Sequence, residues 1–224
     1  MARLDRRLRL VARLASARQR EKLGLFVCEG EDLVEAARAR GIEPVELLVA
    51  GENVDARELA SVSALGHPPR VIAIFPRAAL QRTVAGSGFG VALWRVADPG
   101  NVGTLTRSVD ALGGAFLALS DGCADPTGPK AVRASMGALF RVPLIPFDEA
   151  PRPWTALVPR GGDELQPLAR GTYVLGAERE GVPEEVLARC DGRATVPLAA
   201  GAESLNVAMA GTIALYESVR GRSS

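Results

Sequence analysis

Three short segments of this 224-residue chain carry residue types able to act on a polar ligand. Asp98-Pro99-Gly100-Asn101-Val102-Gly103-Thr104-Leu105-Thr106-Arg107 offers an amide, two glycines and a guanidinium. Leu175-Gly176-Ala177-Glu178-Arg179-Glu180-Gly181 holds a carboxylate between glycines. Ser204-Leu205-Asn206-Val207 adds a hydroxyl and a second amide. Each segment admits two readings. Asn101 suits the N-cap of a helix beginning at Val102, and Gly100 and Gly103 let the backbone approach a partner closely. Arg107 falls roughly 200° around that helix from Leu105, away from the apolar stripe of Leu105, Val109 and Leu112. It is either a solvated arginine or, with the helix N-terminus, a grip on a phosphate. Glu178 is either one charge of a solvated turn or the brace of a ligand-binding loop. That loop directly follows a strand, which puts it at the carboxyl edge where open α/β sheets bind ligands. Ser204 can cap the last helix, whereas Asn206 in its first turn must find hydrogen-bond partners if buried.

The remaining composition removes several chemistries. His67 is the sole histidine and stands beside Pro68-Pro69 in an expected surface loop, so histidine base catalysis and histidine metal sites are excluded. No G-x-S-x-G, Walker loop or H-E-x-x-H occurs. Gly86-Ser87-Gly88-Phe89-Gly90 imitates a dinucleotide loop but lacks the strand before it and the helix after it. Cys28, Cys123 and Cys190 stand far apart without a C-x-x-C pair and read as reduced packing thiols of a cytoplasmic protein, with no metal. No apolar run approaches the roughly 20 residues that span a bilayer, and the arginine-rich start lacks the apolar stretch of a secretory signal. The net charge of +1 hides an asymmetry. Residues 1–22 hold Arg3, Arg6, Arg7, Arg9, Arg13, Arg18, Arg20 and Lys22 against Asp5 and Glu21. This block either meets nucleic-acid phosphates or is the solvated face of a helix whose apolar stripe is Leu4, Leu8, Val11 and Ala15.

The elements that must position these residues follow from periodicity. Residues 1–77 read as a small α/β unit. It has a basic amphipathic helix, a strand from Gly24 to Cys28, and a helix opened by Glu29-Gly30-Glu31-Asp32 and closed at Gly41. Strands follow from Val45 to Val49 and from Val71 to Phe75, with a weak helix over 56–64 between them. Residues 78–89 carry little pattern and read as a linker. From 90 to 224 strand and helix alternate. The strands are Val91 to Val96, Ala115 to Leu119, Phe140 to Pro146, Thr155 to Val158, Thr172 to Leu175 and Ala194 to Leu198. The helices are Val102 to Leu112, Pro129 to Ala138, Pro183 to Ala188 and Leu205 to Val219. This is an α/β pattern, predicting a mostly parallel sheet with helices on both faces. Ala208, Ala210, Gly211 and Ala214 predict very close packing of the last helix, within the subunit or across a dimer.

With these residues in view, the chain resembles the SpoU/TrmH family of RNA 2′-O-ribose methyltransferases in the SPOUT superfamily. The likeness rests on Asn101-Val102-Gly103 through Arg107 to Gly113, on Leu175-Gly176-Ala177-Glu178 through Gly181-Val182-Pro183, and on Val196-Pro197 with Ser204-Leu205-Asn206-Val207 through Glu217. Lys130 to Phe140 is similar to the helix that precedes a strand in this family. Arg20, Leu25-Phe26 and Glu29-Gly30 are similar to its L30e-like RNA-binding domain. The resemblance implies a trefoil knot, a homodimer with its site near the interface, and an RNA substrate, ribosomal RNA favoured over transfer RNA. It further implies S-adenosylmethionine as methyl donor, met by Gly176, Val196, Leu198, Ser204 and Leu205. Arg107, Asn101, Glu178 and Asn206 are implied as catalytic residues, without a metal. The competing expectation is a catalytically inactive RNA-binding or ribosome-assembly protein of the same fold.

Overall fold

The computed structural model describes residues 5–65, 69–80, 83–84, 88–199 and 202–221. Arg3, Leu4, His67, Pro68, Gly86 and Ser87, used in the sequence reading, lie outside the described residues. The basic start forms two helices where one was expected. In α1 (Arg6–Leu14) the Asp5 side chain caps the N-terminus by accepting from Arg7 N–H, and the helix stops before α2 (Ala17–Leu23). The buried stripe is Leu8, Val11 and Leu14, while Ala15 is exposed. Gly24, in the left-handed region at φ +64°, ends α2 and turns the chain straight into the first strand.

That strand, β1 (Leu25–Glu29), joins β2 (Glu46–Val49) and β3 (Val71–Pro76) in an antiparallel sheet of order β1-β3-β2, with Val27 opposite Ile74. Alternation sorts the side chains. Val27, Leu48, Ile72 and Ile74 pack against α1 and Leu59 of α4 (Ala56–Val62). Phe26, Cys28, Ala73 and Phe75 pack against Leu33, Val34 and Ala37 of α3 (Glu31–Arg38). This second face continues into the rest of the molecule. The rings of Phe26, Phe75 and Phe140 pack with centroids 5.2 to 6.1 Å apart.

A second sheet holds β4 (Phe89–Leu93), β5 (Leu117–Leu119), β6 (Leu144–Pro146), β7 (Trp154–Leu157), β8 (Asp163–Glu164), β9 (Gly171–Leu175) and β10 (Gly192–Thr195). Its order is β6-β5-β4-β9-β7-β10-β8, and every pairing is parallel. All carboxyl ends therefore share one edge. β4 and β9 are buried at every position, as expected for strands covered on both faces. Val91 and Leu93 face α5 (Pro99–Ala111) and α8 (Val207–Arg220). Ala92 and Val174 face Phe147, Trp154 and Val186 of α7 (Glu184–Leu187).

Four expected elements are corrected. The helix α6 (Pro129–Ser135) stops at Met136 and Gly137, both at positive φ, and residues 138–140 form a 3₁₀ turn. Phe140 is thus a core ring and not the start of a strand, which begins at Leu144. β4 ends at Leu93 because Arg95 adopts φ +54°. β10 ends at Thr195, leaving Val196 and Leu198 in the segment beyond it.

Candidate active site

The helix α5 begins earlier than Asn101 suggests. Asp98 is its N-cap, accepting at Oδ1 from the N–H groups of Gly100 and Asn101, with Pro99 in the first helical position. Asn101 is thereby free for another task. Its Nδ2 donates to Glu178 Oε1 at 2.9 Å, and its Oδ1 accepts from Asn206 Nδ2 at 3.1 Å. Asn206, and not Ser204, caps α8, its Oδ1 accepting from Ala208 N–H at 2.8 Å and Met209 N–H at 3.3 Å. A carboxylate only accepts and an N–H only donates, so these partners fix the orientation of both amides. One hydrogen-bonded chain therefore ties α5, the loop after β9 and the start of α8.

Between those elements the backbone is closely packed. A Cβ on Gly176 would lie 2.0 Å from the carbonyl carbon and oxygen of Gly181, so the position tolerates no side chain without displacing the loop. Gly181 donates its N–H to the Ala177 carbonyl at 2.8 Å, closing a turn with Glu178, Arg179 and Glu180 exposed at its tip. A Cβ on Gly103 would lie 2.3 Å from the Ala131 carbonyl oxygen of α6, and one on Gly211 would lie 2.6 Å from Leu105. The Ser108 and Thr212 hydroxyls meet at 2.7 Å between α5 and α8. The small residues of α8 thus serve close packing inside the subunit.

Two clefts flank the hydrogen-bonded chain. One, of about 760 Å³, opens at the carboxyl ends of β7, β9 and β10. Gly176, Val196, Leu198, Ser204 and Leu205 all line it, as do Glu178 and Asn206. The other, of about 560 Å³, is lined by Asp98, Gly100, Asn101, Thr104, Lys130, Arg133 and Ala134 and shares Glu178 and Asn206 with the first. Glu178 and Asn206 are thus the wall between them. The second cleft lies where the strand order reverses between β4 and β9, the place where open α/β sheets bind ligands. Arg107 lines neither cleft. Its side chain is exposed and makes no hydrogen bond or ion pair with a described residue.

Sequence reasoning passed over Asp98, Thr104, Lys130 and Arg133 as site residues. An aspartate directly before a proline and glycine was the available signal for Asp98, since proline favours the first helical position. The ammonium of Lys130 hydrogen-bonds Asp98 Oδ2 at 2.8 Å and, with the capped N–H groups, holds the Asp98 carboxyl below its ordinary range. Lys130 and Arg133 carry no sequence signal of their own, because only the fold turns that side of α6 toward Asn101. Among the described residues no group of three or more His, Cys, Asp or Glu gathers as a metal site.

Residues 88–216 match the model of the SpoU rRNA Methylase family. The 23S rRNA (uridine(2479)-2′-O)-methyltransferase of Streptomyces viridochromogenes is 35% identical over 69% of this chain and 61% of its own length. The 23S rRNA (guanosine(2553)-2′-O)-methyltransferase of Bacillus subtilis is 28% identical over 91% of this chain and 92% of its own. Among solved structures, the SpoU methyltransferase AviRb of Streptomyces viridochromogenes in complex with AdoMet superposes with a TM-score of 0.85, at 28% identity, over 98% of this chain and 99% of that one. Family model, relatives and fold agree: the chain belongs to the SpoU rRNA methylase family.

Proposed function

We propose that this protein transfers a methyl group from S-adenosylmethionine to a ribose 2′-oxygen of structured RNA, ribosomal RNA in preference to transfer RNA. The observation that carries the reading is the Glu178–Asn101–Asn206 hydrogen-bonded chain beside the wall between two clefts. One cleft then receives the methyl donor and the other the nucleotide, with the transfer at their shared wall. The relatives' names, both 2′-O-methyltransferases of 23S rRNA, support the ribose and the ribosomal substrate.

The residues of the larger cleft fit the donor. Its volume suits a small-molecule site, and apolar Leu157, Val158, Val196 and Leu205 alternate with loop backbone that can hydrogen-bond a heterocycle. Gly176, Val196, Leu198, Ser204 and Leu205 would hold it. When bound, S-adenosylmethionine supplies an electrophilic methyl group on a positively charged sulfur. The chain's part is to orient a weakly acidic hydroxyl and neutralise the charge that develops on it. Asn101 and Asn206 would orient the ribose, and Glu178 would hold Asn101 in place. A guanidinium is a poor proton acceptor, and Arg107 lines neither cleft of its own subunit, so its role would be to grip the neighbouring phosphate and stabilise the alkoxide from across the homodimer interface. The proton leaves to phosphate or water.

The same reading extends to organisation. Residues 1–77 are the L30e-like RNA-binding unit, 78–89 the linker and 90–224 the knotted SPOUT unit, working as a homodimer in the cytoplasm. In support of a dimer, Met209 and Tyr216 lie two turns apart on α8 and are 60% and 53% exposed. Among the described residues no helix is long and apolar enough to cross a membrane. Calorimetric titration with S-adenosylmethionine tests the enzyme reading, and no binding would defeat it. Mapping 2′-O-methyl sites in total RNA with and without the gene then names the target.

A further inference from the structure

We propose that Arg133 on α6 is a substrate-positioning residue that holds an RNA phosphate beside the ribose site, with Lys130 at its flank. This rests on the RNA-methylation reading above and assigns that site a second basic contact, separate from Arg107.

The cleft holding Asn101 is polarised. Its one wall presents the Glu178 carboxylate with the amides of Asn101 and Asn206, and its other presents Lys130 and Arg133 of α6. Lys130 is engaged by Asp98 at 2.8 Å. The Arg133 side chain is exposed and makes no hydrogen bond or ion pair with a described residue. A nucleotide has the complementary layout, hydroxyls on the ribose and an anion a few bonds away. Glu178 accepts a hydroxyl and repels a phosphate, whereas a guanidinium binds phosphate through two parallel N–H groups. The cleft therefore takes a nucleotide one way round.

The backbone under Arg133 is fixed. Ala131, Val132 and Ser135 are buried, and α6 packs against Gly103 too closely for any side chain there. The Ser135 hydroxyl donates to the Val132 carbonyl at 2.7 Å. Only the Arg133 side chain is left to adapt, the condition for a positioning contact. An independent observation gives the direction of the strand. A second depression, about 270 Å³ and lined by Val27, Glu29, Leu33 and Leu65 of the N-terminal unit, lies beyond α6. The two depressions have Lys130 and Arg133 in common and no other lining residue. An RNA strand passing from the N-terminal unit into the catalytic cleft thus crosses these two cations.

The test is filter binding of the purified protein to an in vitro transcript of bacterial 23S rRNA over a salt series, beside titration with S-adenosylmethionine. Arg133→Ala should weaken transcript binding roughly tenfold, as loss of one charged hydrogen-bonding group does. The slope of log affinity against log salt should fall by about 0.7 to 0.9, one phosphate contact. KM for RNA should rise more than kcat falls, S-adenosylmethionine affinity should stay at the wild-type value, and Arg133→Lys should recover part of the loss. If the wild type binds the transcript and Arg133→Ala keeps its affinity and slope, the Arg133 assignment is overturned while the methylation reading stands. If the wild type binds neither transcript nor S-adenosylmethionine, both fall together.

Discussion

Arg20 and Arg107 are both arginines on helices, yet the fold uses them in opposite ways. Arg20 has a side chain 5% exposed. Its Nε donates to Asp125 Oδ2 at 2.9 Å, and its Nη1 donates to the carbonyls of Leu14 and Ala15 at 2.9 and 2.8 Å. Arg77 approaches the other oxygen of Asp125 at 3.5 Å, and Thr127 donates to it from both N–H and hydroxyl. This node joins the N-terminal unit to the segment just ahead of α6. The side chains of Arg107 and Arg133 are exposed and meet no described partner. A cation whose donors are engaged inside the protein holds the fold together. A cation held on a rigid helix with its donors open to solvent is available to a ligand. Position in a basic stretch of sequence does not separate the two, but satisfaction of the donors does.

The largest expected effect comes from breaking the buried member of this comparison. Arg20→Ala leaves Asp125 short of a partner and two carbonyls unsatisfied, and removing one side of a buried pair costs about 3–5 kcal/mol. For a chain of this size that lowers Tm by roughly 10 °C, read by calorimetry. S-adenosylmethionine affinity measured well below the transition should be unchanged. A Tm near wild type would show that Arg20 is not a structural latch.

Arg107→Ala should give the mirror image. Stability should stay within about 0.5 kcal/mol, as for an exposed residue without partners. S-adenosylmethionine binding should persist, while single-turnover methyl transfer falls by about 10²–10³-fold, the usual loss when one charge-stabilising donor is removed. Substantial residual turnover would refute the role given to Arg107. Gly176→Ala sharpens the contrast from the cofactor side, since the added methyl would lie 2.0 Å from the Gly181 backbone. Displacing that loop should cost about 1–3 kcal/mol, seen as roughly a tenfold or greater rise in the S-adenosylmethionine Kd.

Much of the candidate site is legible in the sequence, because it is built from strand-to-loop junctions that glycine and polar residues mark there. Gly176, Glu178, Leu205 and Asn206 belong to this class, and they line one cleft. The sequence reads Asn101 both as a helix cap and, by resemblance, as a catalytic residue; the cap reading fails, because its amide bridges Glu178 and Asn206. The error came from Asp98, a competing capper three residues earlier that periodicity does not reveal. Lys130 and Arg133 were illegible as site residues because their relevance depends on helix packing at Gly103, a long-range contact. Arg20 was placed in a basic face on composition, and only tertiary structure shows it buried against Asp125. Local signals thus located the loops, and packing decided which charges the loops meet.

The smallest effect tests an exposed ion pair against the buried one. Asp98 and Lys130 are 45% and 56% exposed along their side chains, so their pairing should contribute less than about 1 kcal/mol and weaken with salt. Asparagine caps a helix about as well as aspartate, so Asp98→Asn isolates the charge. The Lys130 ammonium and the capped N–H groups hold the folded Asp98 carboxyl below its ordinary value of 3.8. A carboxylate with a depressed folded pKa contributes stability that is fully present above its unfolded pKa and is lost as pH falls through the folded one. The wild type should therefore exceed Asp98→Asn by a small, constant margin from neutrality down to about pH 5. That margin should close as pH drops below 3.8, and close at neutral pH in high salt. A margin as large as that of Arg20→Ala, or one indifferent to pH and salt, would mean that Asp98 acts through the backbone of α5 and not through its charge. The separation of exposed from buried ion pairs drawn here would then fail at the helix that carries Asn101.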